Sequence, residues 1–301
     1  MAPAQHNRAL LCTFMSFIVP TLLVKHCAKT AARKAWLAAL PSAIQTLRQR
    51  WSLSLGTPYD HAYVSCSWVA PAILADRTRA ILKIGMPHME GEQEIEGLRF
   101  WDGRATVRLL EWDPLINAML LERCEPGTPL LSIAEIEQDV IVTTILKRLW
   151  MKPPRQTFRP LSALIAYWNE QTRKSAERWS DAVLTNEGLR VLTAMASEQT
   201  DEFLLATDLH SGNVLSAQRE PWLMIDPKPF VGDRAYDLTQ HLFNCERRLQ
   251  TNPHELIRRV ADLAEVDYRR VRMWLFGRAA AEPRDSWHND WKLELARRLS
   301  V

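Results

Sequence analysis

The apolar periodicity of this chain changes character at one place, Glu125-Pro126-Gly127-Thr128-Pro129, and that change limits the folds open to it. Upstream, Trp51-Leu53-Leu55 and Val64-Cys66-Trp68 alternate, and Ala80 to Ile84, Thr106 to Leu110 and Ala118 to Glu122 are further short strand-length runs. Period two marks half-buried strands. Turn chemistry divides the runs at Gly56-Thr57-Pro58, Pro71, Asp76-Arg77-Thr78 and Asp113-Pro114. The pattern predicts an antiparallel sheet of about five strands. One helix, near Glu90–Trp101 and ended by Asp102-Gly103, follows the third strand.

Downstream the period becomes helical. Leu161, Leu164, Ile165 and Trp168 share a face, as do Leu189, Leu192, Met195 and Ala196. Ser132-x-x-Glu135 predicts a capping box, and Asn252-Pro253-x-Glu255 a second helix start. Two short apolar strands, Val214–Leu215 and Trp222–Ile225, interrupt this region. Two prolines and a glycine in five residues make a stiff connector between the two parts. The expected class is α+β: a small antiparallel β lobe, then a larger helical lobe.

Composition removes several alternatives. Lysine plus arginine number 38 against 35 aspartates and glutamates, so the net charge is +3, too balanced for a protein that grips nucleic acid through phosphates. The five cysteines (Cys12, Cys27, Cys66, Cys124, Cys245) are scattered and never form a C-x-x-C pair. That argues against a disulfide framework or zinc ribbon and suits a reducing, cytoplasmic compartment. Leu10 to Val24 is apolar enough for a signal-peptide core, but Pro20 interrupts it and no small-x-small cleavage site follows. It reads as an N-terminal extension or a buried helix, and no membrane association is expected. Leu37, Leu40, Ile44 and Leu47 mark a helix broken or restarted near Pro41. Arg247-Arg248, Arg258-Arg259 and Arg269-Arg270 read as solvated helix faces.

The densest polar constellation is Thr207-Asp208-Leu209-His210-Ser211-Gly212-Asn213, with Asp226 at the end of an apolar strand eighteen residues beyond Asp208. Phosphoryl transfer needs this kit: one carboxylate to orient an acceptor hydroxyl, and an amide oxygen with a second carboxylate to hold magnesium. On its own, D-x-x-x-x-N is common and more often closes a turn. Lys83, inside the apolar run Ala80 to Ile84, tips the balance. A strand lysine costs desolvation unless it meets something anionic, such as nucleotide phosphates. An acidic residue on the next helix would orient it; Glu94 is the choice, with Glu90 and Glu96 as alternatives. Lys228 reads equally as a phosphate contact or a solvated lysine. Grouping His210 and His241 with Asp208 and Asp226 into a metal cluster is disfavoured, because neither helical metal spacing is present.

The ordered set of motifs resembles the aminoglycoside phosphotransferase group of the protein-kinase-like superfamily. It is most similar to the branch of streptomycin 6-phosphotransferases and hydroxyurea-type antibiotic-resistance kinases. The resemblance rests on Trp36-Leu37-Ala38-Ala39-Leu40-Pro41, Trp51-Ser52-Leu53-Ser54-Leu55-Gly56, Gly97-Leu98-Arg99-Phe100-Trp101-Asp102-Gly103, Leu120 to Gly127, Glu220 to Pro229 and Gly232 to Leu238. It spans Trp36 to Trp287. The resemblance implies a two-lobed protein-kinase-like fold. Residues 1–35 are then an extension without counterpart, 36–123 the nucleotide-binding lobe, and 124–301 the lobe with catalytic loop and acceptor site.

Carried over by position, the resemblance makes Asp208 the catalytic base and Asn213 and Asp226 the magnesium ligands. Lys83, with Glu94, binds phosphates, and the backbone around Glu122–Cys124 is the adenine hinge. Asp237 becomes a structural brace for the catalytic loop. Two departures stand out: Ala206-Thr207 replace the usual His-Gly, and no G-x-G-x-x-G precedes Lys83. The implied activity is ATP- and Mg²⁺-dependent phosphorylation of a hydroxyl on a streptomycin-type aminoglycoside, giving resistance by inactivation. A cationic acceptor asks for acidic residues at the mouth, from among Glu170, Glu177, Asp181, Asp233 and Glu246. The alternatives are a kinase for hydroxyurea or another small alcohol, and a nucleotide-binding pseudokinase scaffold. The oligomeric state stays open.

Overall fold

Two helices precede the first strand in the computed structural model, which describes residues 18–60, 66–198, 202–281 and 290–300. Val64, Cys12, Trp287 and the part of the apolar run before Ile18 lie outside the described residues. Helix α1 (Thr21–Cys27) buries Leu23 and Cys27. Helix α2 (Ala31–Arg50) is capped by the Thr30 hydroxyl oxygen, which accepts from the Arg33 N–H. Pro41 sits inside α2 without breaking it, contrary to expectation. Leu40, Ile44 and Leu47 hold one continuous buried stripe against the sheet, so packing outweighs the hydrogen bond that proline removes.

The sheet contains β1 (Ser54–Leu55), β2 (Ser67–Ile73), β3 (Arg79–Gly85), β4 (Leu109–Asp113) and β5 (Ala118–Glu122). Its order is β1-β2-β3-β5-β4, with every neighbouring pair antiparallel. The first strand is shorter than expected, because Trp51 and Ser52 form a turn. Pro71 does not end β2 but lies within it. Its carbonyl accepts from Gly56 on the side facing β1. The missing N–H points the same way, where β1 is only two residues long. Alternation along β3 sends Ala80, Leu82 and Ile84 toward α2 and Lys83 to the other face. That second face is covered by helix α3 (Glu94–Trp101), whose Ile95 and Leu98 meet Met119 and Leu121 of β5.

The helical part comprises α4 (Glu135–Leu149), α5 (Leu161–Lys174), α6 (Ala182–Ser197), α7 (Arg234–Asn244), α8 (Glu246–Thr251), α9 (Pro253–Ala264), α10 (Tyr268–Ala281) and α11 (Asp290–Leu299). Asn252 caps α9 as expected: its Oδ1 accepts from Glu255 N, and its Nδ2 donates to Glu255 Oε2 at 2.7 Å. The Ser132 capping box is not formed. Ser132 closes a preceding 3₁₀ turn by donating to Pro129 O, and α4 starts from Ala134 without a side-chain cap.

Two antiparallel pairs sit among these helices: β6 (Phe203–Leu205) with β9 (Phe230–Gly232), and β7 (Val214–Ser216) with β8 (Trp222–Met224). The expected strand from Thr106 begins only at Leu109. Ala105 to Val107 instead run beside β8, exchanging hydrogen bonds with Met224. Arg219, in the β7–β8 turn, pins the sheet to this hairpin. Its guanidinium reaches the Glu122 carboxylate at 2.9 Å, Thr106 O at 2.7 Å and Gly103 O at 2.8 Å.

The arginine pairs are not simply solvated faces. Arg248 and Arg259 converge on the fully buried Asp139, and Arg270 reaches Asp233. Among the described residues, no helix is long and apolar enough to cross a membrane.

Candidate active site

The antiparallel register puts Lys83 opposite Val69 on β2 and Met119 on β5, in the middle of the sheet. Lys83 is 5% exposed, and its Nζ lies 2.5 Å from Glu94 Oε1. Of the three acidic candidates, Glu94 is the one placed there. Glu90 accepts from Trp168 of α5, and no bond joins Glu96 to Lys83 among the described residues. Gly97 lets α3 come this close: a Cβ there would lie 2.8 Å from Pro229 Cγ.

Lys83 also donates to Asp226 Oδ1. Lys228 is buried, against the reading of a solvated lysine, and donates to the same oxygen at 2.5 Å. Burial works to raise the Asp226 carboxyl, but Lys228 and Lys83 outweigh it and hold it well below the usual carboxylate range.

The β7–β8 hairpin carries Asn213 to the same mouth. Ile225 N donates to Asn213 O, while Asn213 Nδ2 donates to Asp208 O at 3.1 Å and more weakly to its Oδ2. Burial pushes the Asp208 carboxyl up to about 7; Lys228 opposes this, while Asp226 and Glu90 add to it. The amide nitrogen of Asn213 is spent on Asp208, and Oδ1 of Asp226 on two lysines. What remains is Asn213 Oδ1 and Asp226 Oδ2, an all-oxygen pair of the kind a hard divalent cation takes.

Asp237 supports this loop from α7. It is fully buried and accepts from Ala206 N (3.0 Å), Thr207 N (2.6 Å) and Trp150 Nε1 (2.9 Å). Burial pushes its carboxyl up to about 6, against those three bonds. The Ala206-Thr207 departure has a backbone consequence. Thr207 adopts φ +47, a region glycine enters freely and a β-branched residue rarely does. Asp226 is also left-handed, at φ +55. Such residues cost about 1–3 kcal/mol each and need over-determination by their surroundings. Thr207 has it, since its hydroxyl donates to Lys228 O and its N–H to Asp237.

β5 ends at Glu122, and Cys124 lies two residues on, just before the connector. The Glu122 N–H is spent on Arg108 O, and its carboxylate on Arg219. Cys124 is buried, and burial pushes its thiol up to about 12. Its backbone N–H makes no hydrogen bond among the described residues, leaving a main-chain donor at the connector.

The two histidines are separated. His210 Nδ1 accepts from Gly212 N and staples the loop, whereas His241 pairs with Asp139 beside Cys245. The proposed acidic mouth is not assembled from the expected residues. Asp233 and Asp181 cap helices, Glu170 pairs with Lys174, Glu177 with Arg178, and Glu246 accepts from Gln250. Besides Asp226, the carboxylate that acts on Asp208 is Glu90, in a 3₁₀ turn just before α3.

Residues 50–287 match the model of the aminoglycoside/hydroxyurea antibiotic resistance kinase family. The chain belongs to this family. The kinase is 34% identical over 257 residues to a streptomycin 6-kinase of Streptomyces glaucescens, covering 81% of this chain and 82% of that protein. It is 36% identical over 255 residues to a hydroxyurea phosphotransferase of Kitasatospora aureofaciens, covering 82% and 73%. Among solved structures it resembles choline kinase LicA from Streptococcus pneumoniae (14% identity, TM-score 0.58, 86% of this chain and 97% of that one). It also resembles a macrolide 2'-phosphotransferase type I (14%, TM-score 0.51, 87% and 97%). The β lobe, connector and helical part are therefore a protein-kinase-like fold, and the kinase is a phosphotransferase.

Proposed function

We propose that this kinase transfers the γ-phosphoryl group of ATP to a hydroxyl of a streptomycin-type aminoglycoside and so inactivates the antibiotic. The observation that carries the reading is the convergence of Lys83, Glu94, Asp208, Asn213 and Asp226 at one mouth between sheet and hairpin. Lys83, held by Glu94, binds nucleotide phosphates. The main chain around Glu122–Cys124 receives adenine. Asn213 and Asp226 hold Mg²⁺, which when bound offsets negative charge on the phosphates. Asp208 accepts a hydrogen bond from the acceptor hydroxyl and orients it for in-line attack, and a carboxylate whose pKa lies near 7 is matched to that task. A set this complete argues against a pseudokinase. An ATP-consuming enzyme with free thiols suits the cytoplasm.

For the acceptor, Glu90, which accepts from Trp168 and whose charge acts on Asp208, supplies the local negative charge that a polycation needs. The net charge of +3 gives no long-range steering, so attraction has to be local. Similarity to a hydroxyurea phosphotransferase favours hydroxyurea as the second reading, but so small a molecule offers few atoms for binding energy. Incubation with Mg·ATP and each compound tests the choice. Mass spectrometry should find one added phosphate on streptomycin and none on hydroxyurea; the reverse result overturns this acceptor.

A further inference from the structure

Lys83 and Lys228 meet one oxygen, Asp226 Oδ1, yet they are anchored differently. An ammonium carries three N–H donors. Lys83 spends one on Glu94 and one on Asp226. Lys228 spends one on Asp226, and the structure shows no second acceptor for its Nζ among the described residues. It is only 6% exposed, so water has little access to the remaining donors. A buried ammonium with unused donors calls for an anionic ligand.

Its place in the chain points the same way. The loop Asp208-Leu209-His210-Ser211-Gly212-Asn213 has no basic residue apart from His210. Burial pushes His210 down to about 4, so it is neutral. No glycine-rich loop is available to clamp phosphates from above. Lys228 is fixed by its main chain, with N donating to Ala206 O and O accepting from Thr207 Oγ1, while its side chain stays tethered to Asp226 alone. Asp208, Glu94 and Asp226 all act on its charge.

We infer that Lys228 is a second phosphate-binding lysine, dedicated to the transferring γ-phosphoryl group of a nucleoside triphosphate. The inference rests on the nucleotide site proposed above. With a cation held by Asp226, both lysines would lose part of their attraction to its carboxylate. Lys83 keeps Glu94 and stays, whereas Lys228 has no other anchor and turns to the γ-phosphate oxygens. Its ammonium thereby offsets charge on the group that moves, while Lys83 serves phosphates that remain with the leaving nucleotide.

The test compares Mg·ATP with Mg·ADP by calorimetry on the full chain, so no acceptor is needed. Lys228→Gln keeps one N–H for Asp226 but removes the charge; Lys228→Met removes both. Each variant should bind Mg·ATP at least about tenfold more weakly than wild type while binding Mg·ADP within about threefold, the difference a charge-assisted phosphate contact carries. Lys83→Met should weaken both nucleotides. Equal losses for ATP and ADP in the Lys228 variants, or no loss in either, overturn the inference and leave the nucleotide site standing. A wild-type protein that binds neither nucleotide overturns both together. Should Lys228→Met fail to fold, Lys228→Gln decides by the same ratio.

Discussion

Lys83 on β3 and Asp226 just past β8 lie 143 positions apart and share an ion pair that joins the sheet to the helical part. Through Glu94, the same lysine ties α3 into that junction. Lys83→Met should therefore act on binding before chemistry. Mg·ATP should raise the melting temperature of wild-type protein; a Kd near 1 mM already gives about 1.4 kcal/mol at ~10 mM nucleotide. The variant should lose most of that shift. A wild-type scan unmoved by Mg·ATP contradicts the nucleotide site.

Asp208→Asn should separate chemistry from binding. The amide still accepts a hydrogen bond but is a far weaker base, so turnover should fall at least about a hundredfold. The Mg·ATP thermal shift should stay within a degree or so of wild type. Near-normal turnover in the variant removes Asp208 from the role given to it.

The buried Asp139–His241 pair, flanked by Cys245, Arg248 and Arg259, makes stability depend on pH. Burial opposes the His241 cation, but the bond to Asp139 outweighs it and raises the group from 6.5 to about 9. Asp139 is held well below its ordinary 3.8 by His241 and the arginines, against burial. The histidine's contribution is full below pH 6.5 and is lost as pH rises through about 9. The aspartate's is full above pH 3.8 and is lost as acid reaches its lowered value. Wild-type melting temperature should therefore fall from pH 6.5 to 9.5 more steeply than that of His241→Asn. Asp139→Asn should cost about 3–5 kcal/mol at neutral pH, because it strands buried cations. Parallel pH profiles for wild type and His241→Asn contradict the assignment.

Gly97→Ala tests the close approach of α3. Alanine favours the helix by about 1 kcal/mol, but its methyl meets Pro229 Cγ at 2.8 Å and Cβ at 3.0 Å. Pyrrolidine rings yield little, so overpacking of about 1–3 kcal/mol should win. Both melting temperature and turnover should drop, since the helix that moves also carries Glu94. A more stable variant with normal turnover means that the proline segment gives way easily.

What could be read from the sequence was local. The apolar run Ala80 to Ile84 marked Lys83 as a strand lysine in need of an anion, and a short hairpin brought Asn213 and Asp226 together, because both patterns span few residues. Pairings over long separations were hidden. The β6–β9 ladder joins Phe203 to Gly232 across the Asp208–Asn213 loop and another hairpin. Arg248 and Arg247 are neighbours of the same type, and only the fold decides which one meets buried Asp139. Propensity misled where packing overruled it, as at Pro41 in α2 and Pro71 in β2. The left-handed Thr207 had one signal, its standing where the family has glycine.

Arg219 gives the cleft a bound edge. Glu122 lies across from Ala80 in the ladder, so the guanidinium grips the sheet three residues, about 10 Å, back along β3 from Lys83. A book stitched at one side can only fan at the other. The Lys83–Asp226 pair is the clasp on that free side. With only about 10 Å between stitch and clasp, a rotation at Arg219 would move Lys83 very little, so this end of the cleft is pinned at two points.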